Sequence, residues 1–96
     1  MHALEMLADK LARAGRYSEA VQAAYAAVDT EPLRESAHRA VVQVHLAEGN
    51  TAEAVRAYEA FRDLLDRELN VAPSAKMDAL LLRARLPVPR APRATR

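Results

Sequence analysis

The chain has no cysteine and no tryptophan, one phenylalanine and two glycines among its 96 residues. Without cysteine there is no disulfide and no thiolate metal site, and redox chemistry gives no clue to the compartment. No apolar run approaches the roughly 20 residues that cross a bilayer as a helix. The opening MHALEMLADK places acids where a signal peptide carries its apolar stretch. The expectation is a cytoplasmic protein with no membrane partner. Lysine is scarce too: of 14 basic residues only Lys10 and Lys76 are lysines, an arginine bias that fits a GC-rich bacterial genome. Strand-like alternation is missing throughout, so a β-sheet is excluded and the expected class is all-α.

What remains is a chain half apolar and poor in aromatics, suited to one small domain packed by Ala, Leu and Val. A core of that size gives marginal stability. The net charge of +1 conceals a division: residues 83–96 hold five arginines and no acid, whereas the remainder has 9 basic against 13 acidic residues. The body is therefore mildly acidic and lacks the broad basic face that duplex DNA requires.

Leu4, Leu7, Leu11 and Ala14 trace one apolar stripe of a first helix, and Gly15 ends it. A second helix starts at Ser18 or in the turn before it, with Ala20, Ala24, Ala27 and Val28 on one face, and Pro32 breaks the chain again. A third runs from about Arg34 to Glu48, with Val41, Val42, Val44 and Leu46 as its apolar surface. Gly49-Asn50 follows. Thr51 is the expected N-cap of a fourth helix bearing Ala54, Tyr58, Phe61, Leu65 and Leu69, which ends at Asn70. Pro73-Ser74 opens a short fifth helix in which Leu80, Leu81 and Leu82 are expected to bury at least in part. Three prolines then fall within residues 87–92, which predicts an extended, disordered Pro/Arg tail over 87–96.

The stretches GRYSEAV and GNTAEAV lie 34 residues apart and agree at Gly, Glu, Ala and Val. That period is the spacing of tetratricopeptide repeats. Leu7, Gly15, Tyr17, Ala20, Ala27 and Pro32 occupy consensus places in the first copy, and Gly49, Ala54 and Tyr58 in the second. Glycine permits the tight turn, small alanines let two helices approach, and Tyr17 and Tyr58 fill the space left over. The expected fold is a tetratricopeptide-like right-handed stack of two helix hairpins, repeats about 1–34 and 35–68, with a covering helix at about 74–86 that completes a domain over 1–86. Residues 7, 11, 20, 24, 27, 54, 58, 61 and 65 are expected in the core. The far side of the first helix, with Leu4, Leu7 and Leu11, has no visible cover.

The segment FRDLLDRELNVAPSAKMDALL, with Tyr58 ahead of it, carries Leu64-Leu65, Glu68-Leu69, Val71 and Pro73-Ser74. In that order these residues resemble the end of the bacterial transcriptional activator domain of the Streptomyces antibiotic regulatory protein family. Asn70 stands where that family has Gly, and asparagine is the next-best residue for a left-handed cap. The resemblance covers about residues 4–82, with EPLRE at Glu31–Glu35 similar to the family's inter-repeat segment. It implies an actinobacterial transcription regulator in which a winged-helix DNA-binding domain precedes a helical domain that supports assembly and contacts the transcription machinery. The expected partners are thus proteins: that machinery, or a second copy of the regulator as a homodimer.

No chemistry competes with this reading. His38 and His45 are seven residues apart, roughly 10 Å along a helix, too far to share one ion, and His2 is terminal. The like-charged pairs Glu5–Asp9 and Glu59–Asp63 read as solvated faces, with no nucleophile or phosphate loop near them in sequence. No metal, cofactor or catalytic residue is expected. The resemblance to tetratricopeptide repeats implies a concave face formed by His2, Glu5, Asp9, Ala12 and Arg13 of the first helix and Ser36, Arg39, Gln43, Leu46 and Ala47 of the third. Of these His2, Glu5, Asp9, Arg13, Ser36, Arg39 and Gln43 are the candidate partner contacts. The alternative is that they face other helices or solvent. The competing function is a free-standing scaffold or peptide-binding adaptor unrelated to transcription.

With no recognition helix bearing a basic face, these 96 residues alone are expected to bind no duplex sequence-specifically. A gel-shift assay checks this: only weak, salt-sensitive retardation is expected, and nanomolar sequence-selective binding would contradict it.

Overall fold

Two glycines and an asparagine set where the helices stop. Gly15 and Gly49 adopt φ of +78° and +83°, and Asn70 adopts +56°. A left-handed backbone costs a residue with a Cβ about 1–2 kcal/mol, which glycine avoids and asparagine softens by local hydrogen bonding. Both glycine turns close in the same way. Gly15 N–H donates to Ala12 O at 2.9 Å and Arg16 N–H to Leu11 O at 2.8 Å; Gly49 N–H donates to Leu46 O at 3.0 Å and Asn50 N–H to His45 O at 2.8 Å. The repeat seen in the sequence is therefore a repeat of backbone hydrogen bonds.

A computed structural model describes residues 2–85. The elements are α1 (Ala3–Arg13), α2 (Tyr17–Thr30), α3 (Glu35–Ala47), α4 (Thr51–Leu69) and α5 (Ala75–Arg85). No strand occurs among the described residues, so the fold is all-helical. The helix α1 pairs with α2 and α3 with α4 as two hairpins; α3 also packs on α1 and α2, and α5 lies against α3 and α4. The expected tail over 87–96 lies outside the described residues.

Two cores result. One gathers Ala8, Ala20, Ala23, Ala24, Ala40, Val41 and Val44 between the hairpins, with Leu11, Tyr17 and Val28 at its edge. The other gathers Val42, Ala54, Phe61, Leu65, Met77 and Leu81 beneath α5. The first is built largely of alanine, which brings backbones close but removes little apolar surface per residue; the second holds most of the large buried side chains.

Several expectations need correction. Leu7 is 46% exposed, Leu4 and Leu11 are half-buried and Ala14 is exposed, while Ala8 is the fully buried residue of α1. Among the described residues α1 packs only on α2 and α3, so its contact stripe is turned toward them. Leu69, at the end of α4, and Leu82, on α5, are exposed as well. Asn50, not Thr51, is the cap residue of α4, and its side chain makes no capping bond.

The space around the position where a Cβ would stand on Gly49 is open, with nothing within 4 Å, so substitution there tests backbone conformation alone. Gly49→Ala is expected to lower unfolding free energy by about 1–2 kcal/mol. Gly49→Asn, which copies Asn70, is expected to cost less. Urea unfolding followed by circular dichroism measures both.

Candidate protein-contact groove

A groove of about 200 Å³ runs between α1 and α3. Small residues make it: Ala8 and Ala12 from one helix and Ala40 and Ala47 from the other leave a floor without bulk. Asp9 and Arg13 form one lip and are joined to each other at 2.9 Å, both largely exposed; Gln43 stands opposite. The lips therefore offer a carboxylate, a guanidinium and an amide to anything that lies along the floor.

At the N-terminal end the groove is closed by polar bonds. Glu5, whose side chain is 13% exposed, accepts from Arg34 Nε at 2.9 Å and from Ser36 Oγ at 3.0 Å. Arg34 also donates to a ring nitrogen of His2 at 2.9 Å and reaches Glu31 at 3.5 Å. This knot ties α1 to the start of α3 across about thirty residues of chain. Glu5 is thus not the solvated acid that its sequence context suggested: arginine and serine have satisfied it.

The seven candidate contacts accordingly separate. Asp9, Arg13 and Gln43 stand on the groove walls. Glu5 both lines it and closes its end, while His2 and Ser36 belong to the closing knot. Arg39 is drawn away: its Nη1 donates to Glu35 at 2.8 Å.

Glu35 is the centre of a second knot, which the sequence reading missed. It accepts from Arg39, from the Ser74 backbone N–H at 2.9 Å and from the Ser74 hydroxyl in a close contact. Ser74 in turn caps α5, its Oγ accepting from Met77 N–H at 3.3 Å. Tyr58 Oη donates to Asp78 at 2.8 Å on the same helix. A serine just before a helix is a readable capping signal, but which acid it would meet is a matter of tertiary packing.

Two histidines lie on the side of α3 turned away from the groove. His38 stacks on Phe61 with centroids 4.3 Å apart, and its Nε2 bonds the Pro32 carbonyl at 2.7 Å, which requires a proton on that nitrogen. Burial pushes the His38 imidazole below its ordinary range, against the opposing pull of the Pro32 carbonyl and Glu35. His45 is buried with neither ring nitrogen bonded. Among the described residues no three His, Asp or Glu side chains come together as metal ligands, and no helix is long and apolar enough to cross a membrane.

For Glu35, partial burial pushes its carboxyl upward, but the bonds from Ser74 and Arg39 together outweigh it and hold the group below its ordinary value of 4.5. The unfolded chain therefore takes up the proton first as pH falls. The Glu35 contribution to stability is complete above the ordinary value and is lost as pH drops through the depressed one. Acid titration followed by α5 amide exchange should show the helix loosening in that window. Glu35→Gln should remove this pH dependence, and Ser74→Ala should cost about 1 kcal/mol at neutral pH through the lost cap.

No curated protein and no solved structure matched the chain. The family model described as bacterial transcriptional activator domain matches residues 1–85. That span takes in both hairpins, both glycine turns and the Pro73-Ser74 entry to α5, and the chain belongs to the bacterial transcriptional activator domain family.

Proposed function

We propose that this chain is a protein-contact module, the C-terminal part of the activator domain of a cytoplasmic bacterial transcription regulator of the Streptomyces antibiotic regulatory type. It acts by holding a partner protein, without catalysis. The observation that carries this is the open α1–α3 groove, with its alanine floor and charged lips, in a chain whose family is defined by transcriptional activation. Asp9, Arg13 and Gln43 are the contact residues, and the tetratricopeptide-like arrangement presents them on one side. The partner is a component of the transcription machinery or another regulator molecule. DNA is contacted elsewhere in such a regulator, and this chain supplies no sequence-reading element.

An artificial-recruitment assay tests this. The chain is fused to an unrelated DNA-binding domain and placed upstream of a reporter promoter in an actinobacterial host. Activation is expected, and Asp9→Arg with Gln43→Arg should abolish it while leaving helix content and DNA occupancy unchanged. A fusion that is folded and bound at the promoter but leaves transcription at the level of the DNA-binding domain alone would refute the proposal.

A further inference from the structure

The groove between α1 and α3 does not stop at α3. Gln43 and Ala47, one helical turn apart, form its wall and also line a second hollow of about 530 Å³, with Leu46, Thr51, Leu80 and Arg83. α3 lies between α1 and α5, so the two hollows make one trough that crosses three helices. The trough is apolar on both sides of α3, with Ala8, Ala12 and Val44 in the first hollow and Leu46 and Leu80 in the second. Gln43 stands at the crossing, exposed, and its amide has no hydrogen-bond partner among the described residues.

The charges on the trough are balanced at one end and not at the other. Asp9 pairs with Arg13, and Glu5 with Arg34. Arg83 is exposed and has no carboxylate partner among the described residues. The start of α4 adds to its charge. Thr51 begins that helix, Asn50 supplies no side-chain cap, and the first-turn acid Glu53 is paired with Arg56, so the positive end of the helix dipole is left at the hollow. The α5 end of the trough is therefore an electropositive spot beside an apolar hollow.

The spacing indicates what form of chain fits. Packed helices stand roughly 8–10 Å apart, and the two hollows are separated by about one such step. A helical ligand, about 10–12 Å across with its side chains, is too wide for the hollow of about 200 Å³. A polyproline-type extended chain has three residues per turn and rises about 3.1 Å per residue, so side chains at i and i+3 lie on one side about 9 Å apart. One enters each hollow, and the Gln43 amide, both donor and acceptor, bonds the backbone that crosses between them.

We propose that the trough binds an extended acidic peptide: two bulky apolar side chains three residues apart, with a carboxylate close to the one that fills the Leu46–Leu80 hollow, held by Arg83. This rests on the reading of the α1–α3 groove as a protein contact and extends it. α5 is part of the site, and Arg83 selects the sign of the partner's charge, since a basic residue there is rejected by like charge.

Fluorescence anisotropy with two labelled peptides tests this: Gly-Leu-Ser-Pro-Leu-Ser-Asp-Glu and the same residues in reverse order, which present the acids at either end. One order is expected to bind the wild-type full-length chain. Replacing both acids by lysine, or both leucines by serine, should weaken binding at least about tenfold. Arg83→Glu should weaken the acidic peptide by a similar factor and tighten the lysine peptide, a reversal that damage to the fold would not produce. Ala47→Trp, which fills the wall shared by the two hollows, should abolish binding with helix content unchanged by circular dichroism. The proposal is overturned if neither order binds, if wild type does not prefer acid over lysine, or if Arg83→Glu leaves that preference unchanged. The recruitment fusion separates this site from the function proposed above. Activation that survives Arg83→Glu strikes the acidic-peptide site alone, whereas a folded, promoter-bound fusion that never activates strikes that function and leaves peptide binding to be judged by the anisotropy.

Discussion

Everything in this fold depends on α3 being buried from two sides. Its neighbouring residues Val41 and Val42 point into different cores, one shared with the first hairpin and one with α4 and α5. A helix so placed has little surface left for polar groups; Gln43 is exposed at the groove, and most of the others are committed, Ser36 to Glu5, Glu35 to Ser74 and Arg39, His38 to Pro32. His45 is the exception among the buried ones. It occupies the repeat position held by Leu11 in the first copy, and a buried imidazole without a partner costs free energy that a leucine would not. The shared helix thus accounts both for the cohesion of the two hairpins and for their least comfortable residue.

The two stacking contacts are joined by the same device. In each, a serine at the start of one helix donates its hydroxyl to a glutamate in the first turn of the helix two before it, Ser36 of α3 to Glu5 of α1 and Ser74 ahead of α5 to Glu35 of α3. An acid in the first turn also suits the positive end of its own helix. The glutamates do not stand at equivalent repeat positions, being 30 residues apart in a period of 34. The device has been built twice from different residues, which is why comparison of the copies does not reveal it.

What could be read in the sequence follows from this. Gly15, Gly49, Asn70 and Pro32 were legible as ends of helices because each acts through its own backbone, and the small residues Ala20, Ala24 and Ala54 because close helix crossings require them. The fates of Leu7, Leu69 and Leu82 were not legible, since burial at the ends of a stack depends on a neighbour that periodicity cannot supply. In the groove, Asp9 and Arg13 sit where helical spacing puts them, on the first helix facing the third. The bonds that tie Glu5, Ser36 and His2 together were not legible, because their shared partner Arg34 precedes α3, outside any helical pattern. Nor was the part of Arg39 in the α5 seat, which depends on Glu35, one turn before it on the same helix, meeting Ser74.

The order of contacts along the chain has a consequence for synthesis. Apart from α1 with α3 and α3 with α5, each helix packs only on its neighbours in sequence, so contacts are local and loop-closure entropy is small. Folding on such a topology is fast, yet α1 and α2 alone complete only part of their core. Their alanine faces find Ala40, Val41 and Val44 only when α3 emerges from the ribosome. The first hairpin therefore lacks part of its core until α3 docks, and order is gained in two steps, first around Val41 and then around Val42.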